Sequence, residues 1–219
     1  MNLKRIHELI SVHRAGLLND TLPFWMGHMI DRRHGGFFNY LDRDGSVWNT
    51  DKAVWIQGRI TWLMASLCNR LGPRKEWLET ARHGIKFMER SCFDADGRMF
   101  FEVTREGRPL RKRRYVFSEA FGVIAFAEYA LATGDKKRLE KAKGLYRLLL
   151  RYHQNPGLLP PKFIPRTRRM KAHAMPMILL ATTQQLRRHG EEPLYRAVID
   201  RALREVFEHF MREDEEALL

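Results

Sequence analysis

The sequence is short of several things, and each shortage narrows what it can be. It has two cysteines in 219 residues, Cys68 and Cys92. That is too few for a disulfide-built secreted domain, and both fall where the pattern is helical, so two buried thiols are expected. No stretch approaches the roughly 18 consecutive apolar residues of a membrane span. The opening MNLKRIHELISVHRAGLL scatters charge through the segment and has no apolar signal-peptide core. A cytoplasmic protein with no membrane attachment is the expectation. Metal-ligand spacings are missing too: there is no HExxH, no CxxC pair and no clustered Asp, Glu and His, so no metal site is expected. No Gly-x-x-x-x-Gly-Lys string occurs, which excludes a conventional nucleotide cradle. Acidic residues are in deficit, 26 against 39 Lys plus Arg, for a net charge of +13. That surplus attracts anions without selecting among phosphates, sugar acids, nucleic acid or an acidic membrane face.

What is present is ordinary globular composition, 44% hydrophobic and 30% charged, arranged in a repeat. Three places share a turn, a glycine, aromatic or apolar residues and then a basic stretch. They are HGGFFNYLDRDGSV (34–47), DADGRMFFEVTREGRPL (94–110) and NPGLLPPKFIPRTRRM (155–170). Their glycines, Gly36, Gly97 and Gly157, lie about 60 residues apart. The first two carry a second turn, Asp44-Gly45 or Glu106-Gly107, and read as hairpins. Four prolines argue against a regular hairpin in the third.

Between the loops the period is helical. Segments 53–71, 115–132 and 174–186 are apolar on most faces, whereas 75–89, 136–152 and 194–211 carry a single apolar stripe. Two further segments, 6–18 and 22–30, read as an opening helical pair. Apolar-all-round helices touch neighbours on several sides, and one-striped helices keep a face in water. The alternation predicts an all-α toroid of helical hairpins with short β-hairpins between the pairs, in one domain over residues 1–219. At about 60 residues per pair the chain holds three to four pairs. The expectation is therefore the N-terminal part of a ring, whose open edge would expose apolar surface and favour association, a homodimer included.

Gly35 to Trp62, GGFFNYLDRDGSVWNTDKAVWIQGRITW, resembles the opening region of the N-acylglucosamine 2-epimerase family, also described as renin-binding proteins. Its most specific part is Lys52-x-x-Trp55-x-Gln57-Gly58-Arg59-x-x-Trp62. Gly107-Arg108-Pro109 followed by Phe117-Ser118-Glu119-Ala120-Phe121, and then Ala174-Met175-Pro176-Met177-Ile178-Leu179-Leu180, match in the same order. The resemblance implies an (α/α)6 barrel, here an incomplete portion of one. It implies inversion at C2 of an N-acyl-hexosamine, N-acetylglucosamine or N-acetylmannosamine, by deprotonation and reprotonation. No cofactor is required, and ATP or another nucleotide is implied as an effector of some members. The family's proton-transfer groups resemble two histidines, the first in an Asn-Pro-Gly-His string. Here Asn155-Pro156-Gly157 is followed by Leu158, so this chain alone is expected to be inactive.

The resemblance makes Arg59 the catalytic candidate, a contact to the sugar carbonyl or enolate oxygen; the other reading is a buried ion pair with Asp51 or Glu119. Lys52, Trp55 and Arg59 are expected on one helical face, with Lys52 and Gln57 as further substrate contacts. Trp55 reads as an apolar wall for a sugar ring or as core packing. Glu119 lines the substrate, or caps or pairs within the scaffold. Tyr115 offers a hydroxyl to the site or packs over its hairpin. His173 points into the bowl or caps a helix. The basic runs 108–114 and 166–171 should gather on one rim, solvated, with nucleic acid disfavoured as a partner. Two other readings stay open: a non-catalytic helical module binding a protein or polyanion through that rim, and a related aldose–ketose isomerase or disaccharide epimerase.

Overall fold

A computed structural model describes residues 3–112, 115–160, 164, 166–167, 170–212, 214–215 and 217–218. Arg113, Arg114, Arg168 and Arg169 of the basic runs, residues 161–163 and 165 of the third loop, and Glu213, Glu216 and Leu219 lie outside the described residues.

Helices α1 (Leu3–Gly16) and α2 (Leu22–His28) are joined by a π-helical turn over Leu17–Thr21, and Gly16, Thr21 and Leu22 all keep right-handed helical dihedrals. The two expected helices are both present, but they form one continuous helical run rather than a separate pair. Pro23 near the start of α2 lacks an N–H and crowds the carbonyl four residues back, which is the setting in which a widened turn relieves a helix without ending it.

After this run, inner and outer helices alternate. Inner helices are α3 (Val54–Leu71), α5 (Phe117–Thr133) and α7 (Ala174–Arg187). Outer helices are α4 (Lys75–Ser91), α6 (Lys136–Gln154) and α8 (Pro193–His209). Helix α5 packs against α3 on one side and α7 on the other, and each inner helix packs on the outer helix that follows it. One core runs through all of them, from Leu22 to Ala202. Both cysteines are buried and unbridged, as expected.

The loops build three small antiparallel sheets. Strand β1 (Tyr40–Leu41) pairs with β2 (Val47–Asn49), and β3 (Lys52–Ala53) pairs with β4 (Glu102–Val103), which pairs with β5 (Pro109–Arg111). Strands β6 (Met211–Arg212) and β7 (Ala217–Leu218) form a third after α8. Sheet β3-β4-β5 joins the first loop to the second, so the entrances of α3 and α5 share one support.

The C-terminal ends of the inner helices meet at a buried carboxylate. Glu128 of α5 is fully buried. It accepts from Asn69 of α3 at 2.8 Å and from Gln185 of α7, and pairs with Arg188 just beyond α7. Trp62 of α3 donates to Gln185 at 3.2 Å. Apolar side chains are exposed at both ends of the arc among charged ones: α1 buries none of its residues and shows Ile10 and Val12, while Met177 on α7 and Phe207 on α8 are exposed.

Outer helix α4 meets α3 at Gly84, where an added Cβ would lie 2.0 Å from Thr61 Oγ1 and 2.7 Å from the Phe37 ring. Both neighbours are fully buried. Gly84→Ala is expected to destabilise the protein by about 1–3 kcal/mol through overpacking, despite the roughly 1 kcal/mol gain in helix propensity. A lower urea midpoint at unchanged slope checks it.

Candidate functional site

The loop after α2 is fastened to the start of α3 by residues that the sequence marked as substrate contacts. Lys52 lies in β3, ahead of the helix, so it does not share a helical face with Trp55 and Arg59 as expected. It is fully buried, and its ammonium reaches Asp31 Oδ2 at 2.9 Å, Gly35 O at 2.7 Å and Arg105 O at 2.7 Å. Three N–H groups thus meet three acceptors, which leaves none for a ligand. Asp31 also pairs with Arg105 at 3.0 Å and accepts from the Arg33 and His34 amides at 3.1 Å. Burial pushes the Asp31 carboxyl up, but hydrogen bonds from Arg105, Lys52 and the His34 amide outweigh that and hold it well below the usual aspartate range.

Gln57 is buried and clips the backbone of Phe37 from both sides, accepting from its N–H at 2.8 Å and donating to its carbonyl at 2.9 Å. Glu119 plays the equivalent part in the next repeat. It accepts from Arg98 Nε at 3.0 Å and from the Met99 amide at 3.1 Å, which ties the second loop to the start of α5. Burial raises its carboxyl in spite of Arg98. Its Oε2 is buried with no hydrogen-bond partner among the described residues.

Arg59 is arranged differently. It is exposed, and it pairs with neither Asp51 nor Glu119; among the described residues no carboxylate reaches it. Its guanidinium instead sits 5.7 Å from the Trp55 ring and 5.4 Å from the Phe121 ring, and those rings are 5.6 Å apart. Trp55 is half-buried. Arg59 also edges a cavity of about 240 Å³ between α2 and α3, walled by Leu22, Trp25, Met29, Ile56 and Ile60, and it is the one charged residue there. A larger depression of about 430 Å³ shares Trp25 but is lined by Asp20, Asp42 and Arg43 and does not include Arg59.

Tyr115 lies just ahead of α5, half-buried, with its ring 5.2 Å from Phe117 and its carbonyl accepting from Arg98. His173 precedes α7, and its ring lies 4.9 Å from that of Phe210, tilted by 44°. The structure therefore brings Trp55 and Arg59 together, sets Lys52, Gln57 and Glu119 into the scaffold, and adds Phe121, which the sequence reading counted as core. The described part of the first basic run faces carboxylates. Lys112 lies 2.5 Å from Asp94 and 2.7 Å from Asp96, and Arg111 lies 3.4 Å from Glu102. Among the described residues, no group of three or more His, Cys, Asp or Glu is placed to hold a metal ion. None of the described helices is long and apolar enough to cross a membrane.

A family profile described as N-acylglucosamine 2-epimerase matches residues 36–218. The mouse N-acylglucosamine 2-epimerase is 31% identical over 208 residues, covering 92% of this chain and 50% of that protein. A cellobiose 2-epimerase of Ruminococcus albus is 32% identical over 136 residues, covering 61% of this chain and 34% of the relative. Among solved structures, the cellobiose 2-epimerase of Spirochaeta thermophila superposes with a TM-score of 0.77 at 24% identity, covering 94% of this chain and 55% of that one. The arc of helical pairs is thus part of an (α/α)6 barrel fold. The chain spans about half the length of the curated relatives it matches.

Proposed function

Because the chain belongs to the N-acylglucosamine 2-epimerase family, we propose that it supplies the substrate-holding wall for inversion at C2 of an N-acyl-hexosamine, N-acetylglucosamine or N-acetylmannosamine, in the cytoplasm. One observation carries this reading: a guanidinium on an inner helix, exposed, flanked by aromatic rings and unmatched by any carboxylate among the described residues. An arginine kept for structure would have its charge answered inside the protein, as Arg98 and Arg105 have.

The hydrogen on C2 of the open-chain sugar is acidic because the C1 carbonyl beside it can accept the electron pair. As the proton leaves, charge moves to the carbonyl oxygen. The Arg59 guanidinium offers N–H donors to that oxygen, and its positive charge is stabilising there above all in the enolate. Trp55 and Phe121 flank the guanidinium, and Ile56 and Ile60 line the cavity it edges. The reaction then needs a base on one face of C2 and an acid on the other. The family's Asn-Pro-Gly-His string has no match in these 219 residues, so in this reading the proton-transfer histidines come from outside them. The reading uses no cofactor.

One contrast favours the N-acylglucosamine branch: the mouse relative matches along 92% of the chain, whereas the cellobiose 2-epimerase of R. albus matches along 61%. The pairing of Arg111 and Lys112 with carboxylates weighs against a polyanion-binding rim. The experiment is carried out in deuterium oxide. Protein purified from its own source should give N-acetylmannosamine with deuterium at C2 from N-acetylglucosamine, and the 219 residues alone should give none. Product without solvent label would overturn the deprotonation chemistry. Turnover by the 219 residues alone would place the acid and base within them.

A further inference from the structure

Arginine is long and flexible, and a guanidinium with no carboxylate to anchor it would sample many rotamers in water. Arg59 has two aromatic faces instead, and their origins differ. Trp55 lies one helical turn before Arg59 on α3, so the two share a face of the same helix. Phe121 comes across the interface from α5. It reaches Arg59 because α3 and α5 touch at the preceding residue: a Cβ added at Gly58 would lie 2.9 Å from both the carbonyl carbon and the oxygen of Phe121. Backbone cannot give way as a side-chain tip can, so glycine at 58 sets how near the α5 backbone comes. That approach in turn sets the Phe121 ring 5.4 Å from the guanidinium and 5.6 Å from the Trp55 ring, with the two ring planes 49° apart.

We infer that Phe121 is a positioning residue for Arg59, seated by the glycine contact at Gly58, and that it holds the guanidinium ready for an anionic oxygen without spending its charge. A carboxylate would restrain the arginine equally well but would cancel the field it presents. An aromatic face restrains a cation through its quadrupole and leaves the net charge in place. Phe121 is half-buried, so its ring belongs partly to the open face and not wholly to the core. Neighbouring Gly122 faces away from this contact, towards Leu145 and Met99, so two adjacent positions on α5 serve opposite packing surfaces.

The effect on substrate rests on the proposed function; the geometry does not. The Arg59 Nε–Hε resonance of the 219-residue chain, assigned by its loss in Arg59→Lys, should be displaced by ring current in the wild type. Phe121→Leu should move it toward the position of a free arginine, and Phe121→Tyr should keep it. Gly58→Ala, which forces α5 away while leaving both rings in the chain, should move it in the same direction as Phe121→Leu. Affinity for N-acetylmannosamine should fall about threefold in Phe121→Leu and recover in Phe121→Tyr. A folded Phe121→Leu protein whose Arg59 resonance and affinity match the wild type would overturn the inference. So would the absence of a nuclear Overhauser effect between the Arg59 δ-protons and the Phe121 ring in the wild type, a test that needs no variant to fold. If Arg59→Ala binds the sugar as the wild type does while Phe121→Leu still shifts the resonance, the positioning stands and the sugar contact falls.

Discussion

Arg59→Ala is expected to lower the rate of C2 inversion in the protein purified from its source by about 10²–10³-fold, the range for losing one donor to a developing oxyanion. The fold should survive, because the side chain is exposed and no carboxylate among the described residues is orphaned by its loss. A matching urea midpoint beside the collapsed rate would separate chemistry from stability. Arg59→Lys should fall between the two, since an ammonium keeps the charge but loses the planar fork. The loss should appear mainly in kcat, because the enolate carries more charge than the ground-state carbonyl. Near-wild-type turnover in Arg59→Ala would remove this residue from the mechanism.

The second large effect is on stability. Asp31→Ala should destabilise the fold by about 3–5 kcal/mol, the cost of leaving a buried charge unanswered, which is a large share of the 5–15 kcal/mol that typically holds a domain together. It would leave the fully buried Lys52 ammonium with two carbonyls and no counter-charge. Arg105 is partly exposed and can turn to water, so the cost falls chiefly on Lys52. Lys52→Met in the Asp31→Ala background should therefore recover part of the loss, and a urea double-mutant cycle reads the coupling. The same pair gives a pH signature. The Asp31 carboxyl is held below its unfolded value, so its contribution is complete above about pH 4 and is lost as the pH falls through the folded value. Wild-type stability should drop steeply below about pH 4, and Asp31→Ala should lack that part of the drop.

These residues also explain why some of the molecule was legible in its sequence and some was not. The alternation of helices followed from which faces were apolar, and α3 to α8 keep their expected order with ends displaced by at most two residues. The string from Lys52 to Trp62 identified the family, yet its members do unlike work. Lys52 and Gln57 hold the preceding loop, Gly58 admits α5, Trp55 flanks Arg59, and Trp62 bonds across to α7. A polar residue in an apolar stretch looks the same whether it turns to a ligand or to a distant loop. The partner of Lys52 is 21 residues upstream and that of Glu119 is 21 residues upstream, separations that periodicity does not read. Phe121 was hidden in the opposite way, since a phenylalanine in an apolar helix gives no sign that one of its faces meets a cation. In the opening segment, the two helices expected as a separate pair are joined through a π-turn over Leu17–Thr21 with no break in helical backbone.

The carboxylate at Glu128 bears on how such a chain can form. Each helical pair is local and should assemble quickly by itself, and a repeat protein built only from nearest-neighbour contacts could add its pairs one at a time. Glu128 forbids that here. Its partners stand at positions 69, 185 and 188, so during synthesis the second pair emerges with its acid lacking two of the three side chains that answer it. Until α7 docks, closing α5 onto α3 would strand an under-compensated charge in the interior. The three pairs should consequently fold as one cooperative unit, and a nascent chain ending before residue 185 should stay loose and depend on holding factors until the rest arrives.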